Sequence, residues 1–201
     1  MASETDICNL AIARLGSAST ITAIDPPDGS AIAAKAAIFY PMMRDSLIEM
    51  RDWPFAITRA ALSELADITI PSPYTNAYAM PSNAMTPVDI RHAEAADDSK
   101  PNRLYWETLP DKSRVVFTDT ELAVMRYKVQ VKDTTKFTPL FIDALAWLLA
   151  GQMVGPVLGN DVKVAQRCYQ MFAAVMNLAT DSTFKSVNAP VDHTPSWIGA
   201  R

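Results

Sequence analysis

Apolar residues recur at steps of three and four from Ile32 to Met50. Ile32, Ala36, Phe39, Tyr40, Met43, Leu47 and Met50 therefore share one face of a helix, and that face needs a core. Asp28 or Ser30 is placed to cap its start, because either side chain can accept a bond from an orphan amide of the first turn. Pro54 closes the far end, since it biases Trp53 away from helical backbone and has no amide to offer. Trp53, Pro54 and Phe55 then follow on extended chain beside the helix and are read as a structural junction between packed elements. Pro41 removes one backbone bond inside the run and predicts a kink near Ala37 to Tyr40.

The flanking patterns predict more helices. Ser3 to Leu15 reads as a first helix, with Ser3 and Asp6 in capping-box positions, Gly16 as its stop, and Ile7, Leu10, Ala11, Arg14 and Leu15 as its stripe. Ser17 to Gly29 is a connector tethered by Ile21 and Ile24. Thr138-Pro139 opens a later helix, with Phe137 and Ile142 placed for a hydrophobic staple. Its face holds Phe141, Ala144, Leu145, Leu148, Leu149, Gln152 and Met153, while Trp147 fits either the interior or a subunit contact. Gly159-Asn160-Asp161 breaks the run. A further long helix then carries Val164, Ala165, Cys168, Tyr169, Phe172, Val175, Met176 and Ala179 in register. Gly151, Gly155 and Gly159, spaced by four, are read as sites of close helix packing.

Between these helices the period changes from near four to two. Prolines at 71, 73, 81, 87, 101 and 110 make long helices improbable, and strands are expected at Tyr78 to Met80, Val88 to Arg91, Leu104 to Leu109, Arg114 to Thr118 and Ala123 to Val131. Pro110-Asp111-Lys112-Ser113 turns one pair into a hairpin. Ile57, Ala61, Leu62 and Leu65 fit a short helix or an extended segment equally. The expected fold is mainly α: a helical bundle of three to four long helices with a small antiparallel β-sheet insertion and an extended C-terminal tail. The expected division is a bundle from 1–66 and 137–182, a β-rich insertion at 67–136, and a tail at 183–201.

Composition narrows the function. A chain of 201 residues with 49% apolar content can bury a core without a covalent staple. A net charge of −4 offers no general attraction to phosphate backbones, and no local cluster of Lys and Arg is evident. Cys8 and Cys168 lie in helical apolar patterns and read as buried thiols. The acidic, polar start argues against a secretory signal, and no apolar run approaches membrane-spanning length, so no membrane anchor is expected. His92 and His193 sit in different regions, which leaves no paired metal site and no nucleophile, histidine and carboxylate set. Glu94, Asp97 and Asp98 read as a solvated loop, Asp119 and Glu121 as a turn, and the six glycines form no phosphate-cradling loop. No catalytic residue, metal or cofactor is expected. Trp197 and Ile198 in the irregular tail suggest a docking anchor, the alternative being that the tail folds back on its own domain.

Ile7-Cys8-Asn9-Leu10-Ala11-Ile12-Ala13-Arg14-Leu15-Gly16, the Ala-rich helix through Tyr40 to Arg44-Asp45, and Trp53-Pro54-Phe55-Ala56 with Arg59-Ala60 and Leu62 together resemble the tail tubular protein A family of short-tailed phages. Tyr78-Ala79-Met80-Pro81 and the stretch from Phe141 to Ala150 extend the likeness. The resemblance implies a virion structural protein made in the host cytoplasm and residing in the tail or neck. Such adaptors form a dodecameric ring below the portal protein, extend the DNA channel, and present a surface to the tail nozzle or tube protein. DNA then passes through the lumen without specific binding, and the lumen is expected to be neutral or acidic. The tail would clasp the portal, which points to Phe184, Pro195, Trp197, Ile198 and Arg201. The alternatives are a stopper protein closing the channel and a small tail-associated hydrolase.

Overall fold

The computed structural model describes residues 2–66, 68–95, 100–159 and 161–187, with side chains as far as Ala179. Its chain divides into two units, one made of Met1–Met43 with the chain from Phe137 onward, the other of Arg44–Lys136.

The first unit opens with α1 (Glu4–Arg14). Ser3 caps it: the hydroxyl accepts the Asp6 amide at 3.1 Å while the Asp6 carboxylate accepts the Ser3 amide at 2.8 Å. Gly16 stops it with φ +75°, left-handed backbone that glycine adopts without strain. Its buried face is Ile7, Cys8, Ala11 and Ile12, while Leu10 of the expected stripe is exposed. The connector is held as expected, with Ile21 and Ile24 buried. The Asn9 carboxamide clamps Ile21, donating to its carbonyl and accepting its amide, both at 2.9 Å.

Helix α2 spans Ala31–Met50 and runs unbroken through Pro41. Ser30 is the cap, its hydroxyl accepting the Ala33 amide at 3.1 Å. Asp28 instead bonds the amides of Thr22 and Ser30. The buried stripe is Ala33, Ala36, Tyr40, Arg44, Leu47 and Ile48, rotated from the expected one: Phe39 and Met43 are half-buried and Met50 is exposed.

Helix α3 (Pro139–Leu158) begins at Thr138, whose hydroxyl accepts the Phe141 amide at 3.3 Å. Phe137 packs on the Phe141 ring, with centroids 4.6 Å apart. This helix corrects the reading that no run reaches membrane-spanning length, since its length and apolar composition suffice to cross a bilayer. In this fold much of its surface is buried, in contact with α1 and with α4 (Val162–Val187). A Cβ at Gly151 would lie 3.0 Å from the Tyr169 ring of α4, which bears out close packing there. Gly159 has a different task, closing α3 in left-handed backbone with φ +67°. Along α4, Cys168, Val175 and Ala179 are buried.

The second unit overturns the expectation of a mainly α bundle. It holds seven strands in two antiparallel sheets among the described residues, which makes the chain a mixed α/β fold. The strands are β1 (Ile57–Ala61), β2 (Ser63–Glu64), β3 (Asn76–Ala79), β4 (Ala84–His92), β5 (Leu104–Thr108), β6 (Arg114–Thr118) and β7 (Ala123–Val129). One sheet has the order β1-β7-β4 and the other β2-β3-β6-β5. The ambiguous stretch after Phe55 is extended, because Ile57–Ala61 pairs with β7 and Ser63–Glu64 with β3. The β-rich unit accordingly begins at Arg44, within α2, and not at residue 67.

Tyr78, Ile90, Val116, Met125 and Tyr127, drawn from both sheets, form one core. Ala77, Val115 and Phe117 form a second with Leu65, Ile68, Ile70, Tyr74 and Leu109. Strand β6 serves both and is buried on both faces from Val115 to Thr118. Its hairpin with β5 turns where expected. Lys112 adopts φ +68°, and the Asp111 carboxylate bonds the Ser113 hydroxyl at 2.7 Å.

Candidate functional site

The end of α2 is where the predicted junction residues fall. A helix leaves its last carbonyls without internal partners, and here two of them meet side chains of the same unit. The Trp53 indole, 3% exposed, donates Nε1–H to the Leu47 carbonyl at 2.8 Å. Lys128 of β7 donates Nζ to the Glu49 carbonyl at 2.8 Å and lies 3.0 Å from the Asp52 carboxylate. Gln130 adds a bond to Asp45 at 2.6 Å. Pro54 opens a single 3₁₀ turn, Pro54–Ala56, which swings the chain from helix into β1. Phe55 lies against Trp53 with ring centroids 6.2 Å apart. Trp53 is extended as expected, but Pro54 and Phe55 lie in a 3₁₀ turn where extended chain was expected.

The predicted clasp is placed only in part. Phe184 falls on α4, which continues to Val187 where an irregular tail was expected from residue 183. Pro195, Trp197, Ile198 and Arg201 lie outside the described residues.

Sequence reasoning missed a basic cluster. Arg59 on β1 stands opposite Arg126 on β7, and Arg126 stands opposite Asp89 on β4. Arg91, two residues on from Asp89, shares its face. The Asp89 carboxylate lies 3.2 Å from Arg126 and 3.7 Å from Arg91. With Arg59 these residues line a cavity of about 70 Å³. Arg59, Arg91 and Arg126 lie on three different strands, and only the sheet register brings them together.

In the helical unit Arg14 bridges α1 and α3. One guanidinium nitrogen donates to the Asp143 carbonyl at 2.8 Å and the other to its carboxylate, and the plane lies 4.2 Å over the Trp147 ring. The half-buried Trp147 is thereby engaged within its own unit.

Chemistry-bearing groups gather most openly around His92, Arg103, Asp119 and Glu121, in a broad groove beside Thr120. His92 Nδ1 accepts the Glu94 amide at 3.1 Å, and the Thr120 hydroxyl lies 3.2 Å from that of Thr118. Asp119 and Glu121 sit in the turn between β6 and β7, as expected. Among the described residues no group of three or more His, Cys, Asp and Glu side chains could hold a metal ion. Both thiols are buried. Burial pushes the Cys8 thiol up to about 12 and raises that of Cys168. Thiols held protonated in this way are poor nucleophiles.

The helical unit also leaves large apolar side chains exposed. On α2 these are Ile38 and Met42; on α4 they are Val162, Tyr169, Met171 and Leu178. Val162, Ala165, Tyr169 and Ala173 line a shallow groove with Gln166 and Gln170. No protein-family model matches the chain, and no curated protein matches it.

Proposed function

We propose that this chain is a ring-forming head-to-tail adaptor of a short-tailed phage, a structural protein that joins the portal to the tail nozzle or tube and extends the DNA channel. The observation that carries the reading is the apolar surface left open on the helical unit. Ile38 and Met42 stand one turn apart on α2, and Val162, Tyr169, Met171 and Leu178 are spread along α4. A contiguous apolar surface is what a partner covers; Val162, Ala165, Tyr169 and Ala173 share one on α4, Ile38 and Met42 share another on α2, and a subunit of a closed ring needs two, one for each neighbour. The resemblance of the first helix and of the Trp53-Pro54-Phe55-Ala56 motif to the phage family supplies the partners. The portal lies on one side, the tail protein on the other, and further copies of the chain lie around the ring.

Negative-stain microscopy of the purified chain with and without its portal, with masses from sedimentation of the same samples, tests this. Rings seated on the portal are expected. Particles that stay small and separate in the presence of portal would overturn the reading. A seated ring whose lumen is closed would indicate a stopper instead.

A further inference from the structure

Each sheet of the β-rich unit has two edge strands, and three of the four carry features that discourage another chain from pairing. β2 is only two residues long, β1 has Arg59 at its centre, and β4 contains Pro87 and two shifts of register. β5 differs. It runs in unbroken register along β6 from Leu104 to Thr108, contains no proline or bulge, and exposes both Tyr105 and Trp106. Its one charge, Glu107, is half-buried and accepts the Tyr105 hydroxyl at 3.3 Å.

The direction of the backbone groups follows from the hairpin. Leu109 donates its amide to Ser113 and accepts the amide of Lys112, and the Arg103 carbonyl accepts the Thr118 hydroxyl. Residues 103, 105, 107 and 109 therefore turn their backbone groups toward β6, so Leu104, Trp106 and Thr108 turn theirs outward. Upstream, the Asn102 amide is taken by the Ile90 carbonyl of β4. The open edge thus starts at Leu104, and among the described residues no strand pairs with it.

We infer that β5 is a strand-addition site. Its occupant is an extended segment of the tail protein that the adaptor binds, an inference that rests on the proposed function. A row of outward amides and carbonyls at every second residue is complementary to extended backbone and to little else. The segment that fits places an apolar side chain against Trp106 and a basic one in register with Glu107. Pairing of β5 with β5 of a second copy is two-fold and closes at a dimer, so it cannot repeat around a ring.

The test is residue-resolved amide exchange on the full chain seated on its portal, with and without the purified nozzle protein, alongside the variants Trp106→Pro and Trp106→Thr. Proline removes the outward amide at an edge position where the sheet tolerates it, whereas threonine keeps the amide and removes the ring. The expected result is new protection at Leu104, Trp106 and Thr108, with little change at Tyr105 and Glu107. Trp106→Pro should weaken nozzle binding about tenfold or more, and Trp106→Thr should retain the alternating protection. Unchanged β6 protection in each variant would show that the sheet is intact. Nozzle binding without the alternating pattern would overturn the strand-addition site and leave the adaptor reading standing, whereas a seated ring that binds no nozzle would overturn both the site and the reading as a joint to the nozzle. The same pattern appearing in the chain alone as its concentration rises would overturn it in favour of self-pairing. A chain that never seats on the portal would refute the adaptor reading itself.

Discussion

Asp28 follows the Pro26-Pro27 turn with its side chain in solvent, and its effect is felt through backbone amides. Those of Thr22 and Ser30 both donate to its carboxylate, which holds its pKa at about 2 against an ordinary 3.8. Because the folded value is the lower one, the stabilisation is complete above about pH 4 and is lost as pH falls through about 2. Asp28→Asn should melt below the parent at pH 6, with the gap closing toward pH 2; a gap independent of pH would mean that the charge does not matter. Trp53 is the opposite case, a fully enclosed side chain with one polar atom. Trp53→Ala should cost about 3–5 kcal/mol through the lost ring volume. Trp53→Phe keeps most of the ring but strands the Leu47 carbonyl, for about 1–3 kcal/mol. Urea titration of both separates packing from the hydrogen bond, and equal losses would show that the indole N–H is the dominant contribution.

At the scale of elements, the join between α2 and β7 rests on side chains more than on shape. Lys128 is 8% exposed in its side chain, and its Nζ reaches both Glu49 and Asp52. Asp52 is 54% exposed, so that ion pair is screened and contributes little, and the bond to the Glu49 carbonyl is the larger share. Lys128→Met, which keeps the stem and removes the ammonium, should cost about 1–2 kcal/mol and speed amide exchange in the last turn of α2. Unchanged exchange there would mean that water caps the carbonyl equally well. These elements also show which parts of the fold were legible. The Ser3 and Thr138 caps, the hairpin at Asp111 and the strand from Arg114 to Thr118 are local devices, specified within a few neighbouring residues. The segment Ile57–Ala61 is different, since Ile-Thr-Arg-Ala-Ala has no strong period and becomes a strand only because β7 lies alongside it. The same non-local pairing hid the arginine cluster, whose members at 59, 91 and 126 are neighbours only in the sheet. The face of α2 was misplaced by about one residue because Arg44, counted as polar, is buried within the stripe. At Trp53, by contrast, the backbone is set locally: a residue before proline is turned out of helical backbone, and Trp53 is extended and buried there.

For the whole molecule, assembly depends on what lies beyond the helical unit's own packing. In the proposed adaptor the exposed residues of α2 and α4 would serve contacts between copies, and the carboxy-terminal segment would clasp the portal. Helix α4 extends to Val187, so a cut at residue 183 would remove its last turn and confuse loss of helix with loss of binding. Deleting residues 188–201 keeps the whole of α4 and removes Pro195, Trp197, Ile198 and Arg201 together. The truncated chain should keep the helical circular dichroism and melting midpoint of the parent but fail to attach to the portal. Trp197→Ala in the full chain should weaken attachment by about 2 kcal/mol or more if the indole is a buried anchor of that interface. A truncation that still seats on the portal would move the clasp to the apolar face of α4, where Tyr169→Glu, at an exposed position beside Gln152, becomes the variant that distinguishes the two surfaces. Loss of helical signal in the truncation would show instead that the segment folds back on its own domain. The groove of Val162, Ala165, Tyr169 and Ala173 on α4 would then be the surface to test for that contact.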